Sequence, residues 1–227
     1  MRHGETAANV QHRLDTRLPG EPLTDLGHAQ AHSAGEALAG RPIVQVVSSA
    51  ATRARQTAAA VAAALAARQA QRPEAAGTRI AEARVVPGLH EAQVGDWENR
   101  NDRTTLEAFM RVYHDWHTGD LDARPPGGES GRQVLDRYLP ALDAARPDSG
   151  GAIVVVSHGA AIRLASRHLA DNVPGEFSAR NHLANTESIE LVPTATGWTC
   201  VRWGLLLPPF VPDDTPLPGF VEGRPGG

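Results

Sequence analysis

Ile43-Val44-Gln45-Val46-Val47-Ser48 runs directly into Ser49-Ala50-Ala51-Thr52-Arg53-Ala54-Arg55-Gln56-Thr57 and then through an alanine-rich stretch to Ala70. A short run of Ile and Val reads as a strand buried on both faces, as in a parallel sheet. The continuation reads as a helix over about Thr52 to Ala70, with Ser49 or Thr52 as its cap. The same order returns at Gly151-Ala152-Ile153-Val154-Val155-Val156-Ser157-His158-Gly159, with a helical pattern following from Ala160. Working outward, 23–39 reads as a helix capped at Thr24, 80–86 as extended, and 104–117 as a helix. A further helix starts at Ser130, and 187–192 with 198–205 reads as a closing hairpin turning at Gly197. Strands alternating with helices predict an α/β fold: a three-layer αβα sandwich around a mainly parallel central sheet.

Such a sheet binds ligands where its strands end and its helices begin. Two features stand at those junctions. Arg53 falls in the first turn of its helix, where the macrodipole disfavours a cation unless an anion is bound nearby. His158 and Gly159 sit between strand and helix, where a glycine lets a ligand approach backbone N–H groups closely. Arg55 reads as an ordinary solvated arginine.

The chain opens Met1-Arg2-His3-Gly4-Glu5-Thr6, with Asn9 three residues on. This resembles the R-H-G-E-T-x-x-N signature of the histidine phosphatase superfamily, the phosphoglycerate mutase-like branch. Ser49, Arg53, Ala54 and Thr57 match that family's S-x-x-x-R-A-x-x-T, and Ser157-His158-Gly159 its S-H-G. Leu89-His90-Glu91, with Gly95 and Trp97, fits its L-x-E-x-x-x-G-x-W loop. Pro125-Pro126-Gly127-Gly128-Glu129-Ser130 resembles the P-x-G-G-E-S of many of its phosphatases, where a turn near the pocket and a purely structural helix start are equal readings. Leu183 to Ile189 resembles its late loop.

The resemblance implies a metal-independent phosphatase that hydrolyses phosphate monoesters through a phosphohistidine, with no cofactor. In that reading His3 is the nucleophile, and Arg2, Arg53 and His158 clamp the phosphoryl group. Asn9, Gly159 and Asn185 help bind the substrate, and Glu91 is the acid that protonates the leaving oxygen. The chemistry asks for this kit. A neutral imidazole splits the displacement into two steps. Fixed cations and donors hold the charge spread over the phosphoryl oxygens. A poor leaving group needs a proton. The alternatives are a cofactor-dependent phosphoglycerate mutase, which shares these residues, and a catalytically silent module that binds a phosphorylated ligand. Mutases of the family hold a substrate carboxylate with a lysine near the position of Asp102; an acid there would repel it, with Arg100 and Arg103 compensating in part.

Residues 1–207 are expected to form the domain, with 99–130 as a cap segment over the site and 208–227 as a tail rich in proline and glycine. The family's R-H-G follows a central strand, so a chain starting at Met1 is expected to have a truncated first strand. All 22 basic residues are arginine and net charge is −4, which excludes any lysine from the site and gives no reason to expect nucleic acid. No membrane-spanning run or signal peptide is visible, which predicts a cytoplasmic protein. The one cysteine, Cys200, rules out an intramolecular disulfide framework. The partner is a small phosphate monoester, and a homodimer is one assembly the sequence allows. His28 and His32 share a helix face, but with no companion ligands they read as surface residues rather than a metal site; His114 and His117 are expected nearer the substrate.

Overall fold

A computed structural model describes residues 1–71, 80, 82–147 and 150–212. Its strands are β1 (Ile43–Ser48), β2 (Arg84–Val85), β3 (Ala152–Val156), β4 (Ile189–Pro193) and β5 (Trp198–Trp203). Its helices are α1 (Ala7–Val10), α2 (Asp25–Leu38), α3 (Thr52–Ala70), α4 (Arg103–Thr118), α5 (Gly131–Ala145), α6 (Gly159–Leu169) and α7 (Gly175–Arg180). The parallel sheet has the order β2-β1-β3, with Val46 opposite Val154 and Ser48 opposite Val156. β4 and β5 form the separate antiparallel pair expected of the hairpin.

Strand alternation sorts the core into two layers. Val46, Val154 and Val156 pack against α3 through Ala54, Ala58 and Val61. Val47 faces the opposite way, toward Leu135 and Tyr138 of α5, Leu164 of α6 and Tyr113 of α4. Helices therefore cover both faces of a mixed α/β fold, because parallel strands must hide both faces.

Met1 to His3 lie beside β3 in the place of the expected first strand. The Met1 amino group donates to the Val155 carbonyl at 2.8 Å, the Ser157 N–H donates to Met1 O at 2.9 Å, and Arg2 bridges Ser157 in parallel. On their far side the Arg2 N–H donates to Glu187 O at 2.8 Å, tying the opening residues to the segment that leads into β4.

Several local expectations need correcting. The N-cap of α3 is Ala51, which has no side-chain cap bond; Ser49 is used elsewhere. The extended stretch 80–86 contributes only Arg84–Val85 to the sheet, with Ala81 outside the described residues. Past Pro208 the chain is irregular, yet Phe210 is buried, its ring 4.9 Å from that of Phe177. Residues 213–227 of the expected tail lie outside the described residues.

Candidate active site

The opening motif is shaped by close backbone crossing. A Cβ on Gly4 would lie 2.5 Å from Gly27 O, so only glycine lets the loop after His3 cross α2. The Gly4 N–H donates to Thr57 Oγ1 at 3.0 Å, and that hydroxyl donates to Arg53 O at 2.8 Å. Thr57 thereby couples the loop after His3 to the helix that carries Arg53.

His3 is buried, and its Nδ1 lies 2.7 Å from Gly4 O. A carbonyl can only accept, so Nδ1 carries the proton and Nε2 presents a lone pair. Arg53 Nε donates to that Nε2 at 3.0 Å. Burial, then the charges of Arg53 and Arg2, hold the His3 imidazole well below its ordinary range, so the ring is neutral at pH 7. Arg2 is buried and donates from Nη1 to Leu183 O at 2.6 Å; burial lowers its guanidinium to about 10, still protonated at neutral pH.

His158 stands 5.3 Å from His3 between ring centroids. Its Nε2 is 2.8 Å from Ser49 Oγ, which itself accepts the Ala51 N–H at 3.1 Å. With the Ser49 hydroxyl as donor in this contact the imidazole hydrogen sits on Nδ1, and with His158 as donor it sits on Nε2. This Nδ1 is buried with no partner among the described residues. An unmet buried polar atom beside His3 is free energy available to a ligand that satisfies it.

Glu91 sits at the N-terminus of α6. Its Oε1 accepts from the N–H groups of Ala92 at 2.8 Å and Ala161 at 3.0 Å, and its Oε2 from Ala160 at 3.1 Å. The helix end read as a phosphate site thus holds a protein carboxylate, and only the Gly159 N–H of the first turn is not taken by it. Arg137 clamps the loop behind, donating to the carbonyls of Gly88 at 2.7 Å, His90 at 2.8 Å and Glu91 at 2.9 Å. Glu129 pairs with Arg137 at 2.8 Å, and Ser130 forms a capping box with Gln133, so the P-x-G-G-E-S segment is support for the acid loop.

His3, Asn9, Arg53 and Glu91 line one cleft, with Asp15 and Phe109 on its other walls. Asn9 Oδ1 is engaged by the Thr6 N–H and by Asn185 Nδ2, each at 3.1 Å, leaving its amide nitrogen as the group that can reach a ligand. Asn185 donates its amide to His3 O at 3.0 Å and to Asn9, bracing the loop that carries His3. His114 pairs with Glu176 at 3.2 Å and His117 is buried 2.6 Å from Ser178 Oγ, so neither histidine reaches the cleft as expected. Asp102 is the half-exposed N-cap of α4, paired with Arg100, while Arg103 pairs with Glu107. None of these three lines the cleft, which removes the expected repulsion of a substrate carboxylate. His28 and His32 are exposed, and no cluster of metal-binding side chains occurs among the described residues.

Five residues of the cleft, Arg13, Leu14, Asp15, Thr16 and Phe109, carried no sequence signal. Asp15 follows the opening motif without matching any pattern, and Phe109 looked like one more apolar residue of α4. The clue to Asp15 lay in Arg53, since a guanidinium buried at a strand end calls for an anionic neighbour.

A neutral buried imidazole, buried guanidinium groups and a carboxylate gather at the strand ends of an α/β sheet. The sequence profile of the histidine phosphatase superfamily (branch 1) matches residues 1–206, and the chain belongs to that family. It is 36% identical over 172 residues to a glucosyl-3-phosphoglycerate phosphatase of Mycolicibacterium vanbaalenii, covering 71% of this chain and 68% of that one. It is 30% identical over 167 residues to an adenosylcobalamin/alpha-ribazole phosphatase of Salmonella typhimurium, covering 72% and 74%. A probable phosphoglycerate mutase of Yersinia pestis is 27% identical over 208 residues, covering 89% and 87%. Among solved structures, a mycobacterial glucosyl-3-phosphoglycerate phosphatase in complex with VO3 superposes with a TM-score of 0.69 at 27% identity, covering 89% of this chain and 96% of that one. Family and relatives make the protein a phosphoric monoester hydrolase. No described helix is long and apolar enough to cross a membrane.

Proposed function

We propose that this protein hydrolyses small phosphate monoesters through a phosphohistidine on His3 Nε2. The observation that carries the reading is the fixed tautomer of a buried, neutral His3, its Nε2 lone pair aimed at the cleft under the Nε–H of Arg53. An incoming phosphoryl group takes that N–H and frees the lone pair to attack phosphorus. Arg2, Arg53, the Nδ1–H of His158 and the Gly159 N–H then hold the oxygens as charge spreads over them.

Glu91 completes the cycle. Oε1 is filled by two N–H donors, whereas Oε2 has one and keeps a lone pair for a proton. From that oxygen it protonates the departing alkoxide, then accepts a proton from the water that cleaves the phosphoenzyme.

Phosphatase is favoured over mutase because the chain lacks lysine, the residue with which the mutases hold a substrate carboxylate, and because the relatives at 36% and 30% identity described above are phosphatases by name. The test is rapid quench with labelled phosphate ester. Acid-labile, base-stable label should appear on His3, and His3→Ala should lose both label and turnover; turnover surviving in that variant would end the mechanism. Primer-dependent interconversion of 2- and 3-phosphoglycerate without phosphate release would instead identify a mutase.

A further inference from the structure

Arg53 is buried, and the cleft residue it leans on most is one the catalytic scheme above does not use. Its Nη1 donates to Asp15 Oδ2 at 3.1 Å and its Nη2 to the Asp15 carbonyl at 2.8 Å, while Nε points to His3 Nε2 at 3.0 Å. A guanidinium is a rigid plane of five N–H donors, so fixing one edge fixes the direction of the others. Asp15 takes the two Nη nitrogens with side chain and main chain together. The Nε–H can then lie only along the line to the nucleophile.

Asp15 is itself immobilised. Its Oδ2 accepts the Glu21 N–H at 3.1 Å, Glu21 is paired with Arg13, and the Pro19 carbonyl accepts the Thr52 N–H at 2.8 Å. The neighbouring Thr16 donates to Glu98 through both its N–H, at 2.9 Å, and its hydroxyl, at 2.5 Å. Gly20 then closes over the guanidinium. Its φ is +69°, and a Cβ there would lie 2.3 Å from Arg53 Nη1. Backbone therefore fills the space into which Nη1 would otherwise swing.

We propose that Asp15 is a positioning residue for phosphoryl transfer: it grips Arg53 by its Nη edge so that the Nε–H covers His3 Nε2 in the empty site and meets the phosphoryl oxygen that displaces it. This rests on the phosphohistidine reading. It goes beyond it by assigning a role to a residue that no motif marks.

The test is a double-mutant cycle on steady-state hydrolysis of p-nitrophenyl phosphate. Asp15→Ala should lower kcat/KM about 30-fold, mostly in kcat, as expected when a clamp is misaligned but still present. Asp15→Asn keeps an oxygen for Nη1 and should recover to within about fivefold of wild type, because geometry and not charge is the main requirement. In an Arg53→Ala background the Asp15→Ala change should cost less than about twofold more, since its effect passes through the missing side chain. Gly20→Ala, which puts a methyl group onto Nη1, should show the same non-additivity and carries the test if Asp15→Ala does not fold. Wild-type rates in Asp15→Ala or Gly20→Ala, or losses that multiply fully onto Arg53→Ala, would overturn the assignment while hydrolysis through His3 stands. Full activity in His3→Ala would overturn the phosphohistidine reading and this assignment with it.

Discussion

Replacing Glu91 by Gln separates its structural work from its chemical work, and both can be sized from the geometry. The carboxylate accepts three backbone N–H bonds, from Ala92 and Ala161 on Oε1 and from Ala160 on Oε2. A carboxamide offers one oxygen. Its best placement keeps the oxygen at Oε1 and turns its NH2 toward the Ala160 N–H, leaving buried donors facing each other at a cost of about 1–3 kcal/mol. Losing the negative charge at the start of α6 adds about 0.5–2 kcal/mol. A domain of this size shifts by about 2–4 °C per kcal/mol, so the midpoint should fall by about 3–20 °C, and kinetics belong well below it.

The chemical effect depends on the leaving group. An alkoxide departs only with a proton, so kcat/KM for alkyl phosphates should fall by about 10²–10⁴-fold. Nitrophenolate leaves unaided, so its kcat/KM should fall by less than about tenfold. The second step lacks its base for every substrate. Phosphoenzyme should therefore accumulate, and p-nitrophenyl phosphate should give a burst of nitrophenolate equal to the enzyme concentration before a slow common rate. Stopped-flow absorbance reads the burst, and a leaving-group series under steady state reads kcat/KM. Equal losses across the series, with no burst, would refute the acid role of Glu91 and reduce it to a cap on α6.

Ser49→Ala removes the partner of His158 Nε2; stability should fall by about 1–3 kcal/mol in urea melts, and inhibition by inorganic phosphate should weaken about tenfold. Stability should also fall on acidification, because four bases are held neutral in the fold. Burial is the largest cause in His3, His117 and His158, all well below 6.5, and in the Met1 amine, lowered from 8.0 to about 5. Each is depressed relative to the unfolded chain, so stability is full above the unfolded value and is lost as pH drops beneath it. Below about pH 6.5 the three histidines should make stability decline steadily. Urea midpoints that stay level from pH 8 to 5.5 would contradict the burial of these groups.

The sequence by itself determined the periodic elements and the chemical kit. Runs such as Ile43–Ser48 and Ala152–Val156 can be satisfied only between two covering layers, and the helices that supply those layers follow them directly in the chain. Helix α2 was legible down to its Thr24 cap, because capping is local. Short α1 and α7 were not, since elements of four and six residues owe their stability to packing and leave little periodicity. His3, Arg53, Glu91 and His158 were legible as residues, and a single cleft wall or its immediate backing gathers them.

Only the tertiary structure decided what each group touches. Ser49 read as a helix cap, yet it is the hydrogen-bond partner of the His158 ring. The α6 N-terminus read as a phosphate cradle, yet two of its N–H groups hold Glu91. Asn185 read as a substrate ligand, and the structure adds its amide bond to the His3 carbonyl; Asp15 was invisible. These pairings join residues far apart in sequence, so no local spacing encodes them. They arise because every buried donor and acceptor must find a partner once the fold removes water, and the partner is whatever the packing brings within reach.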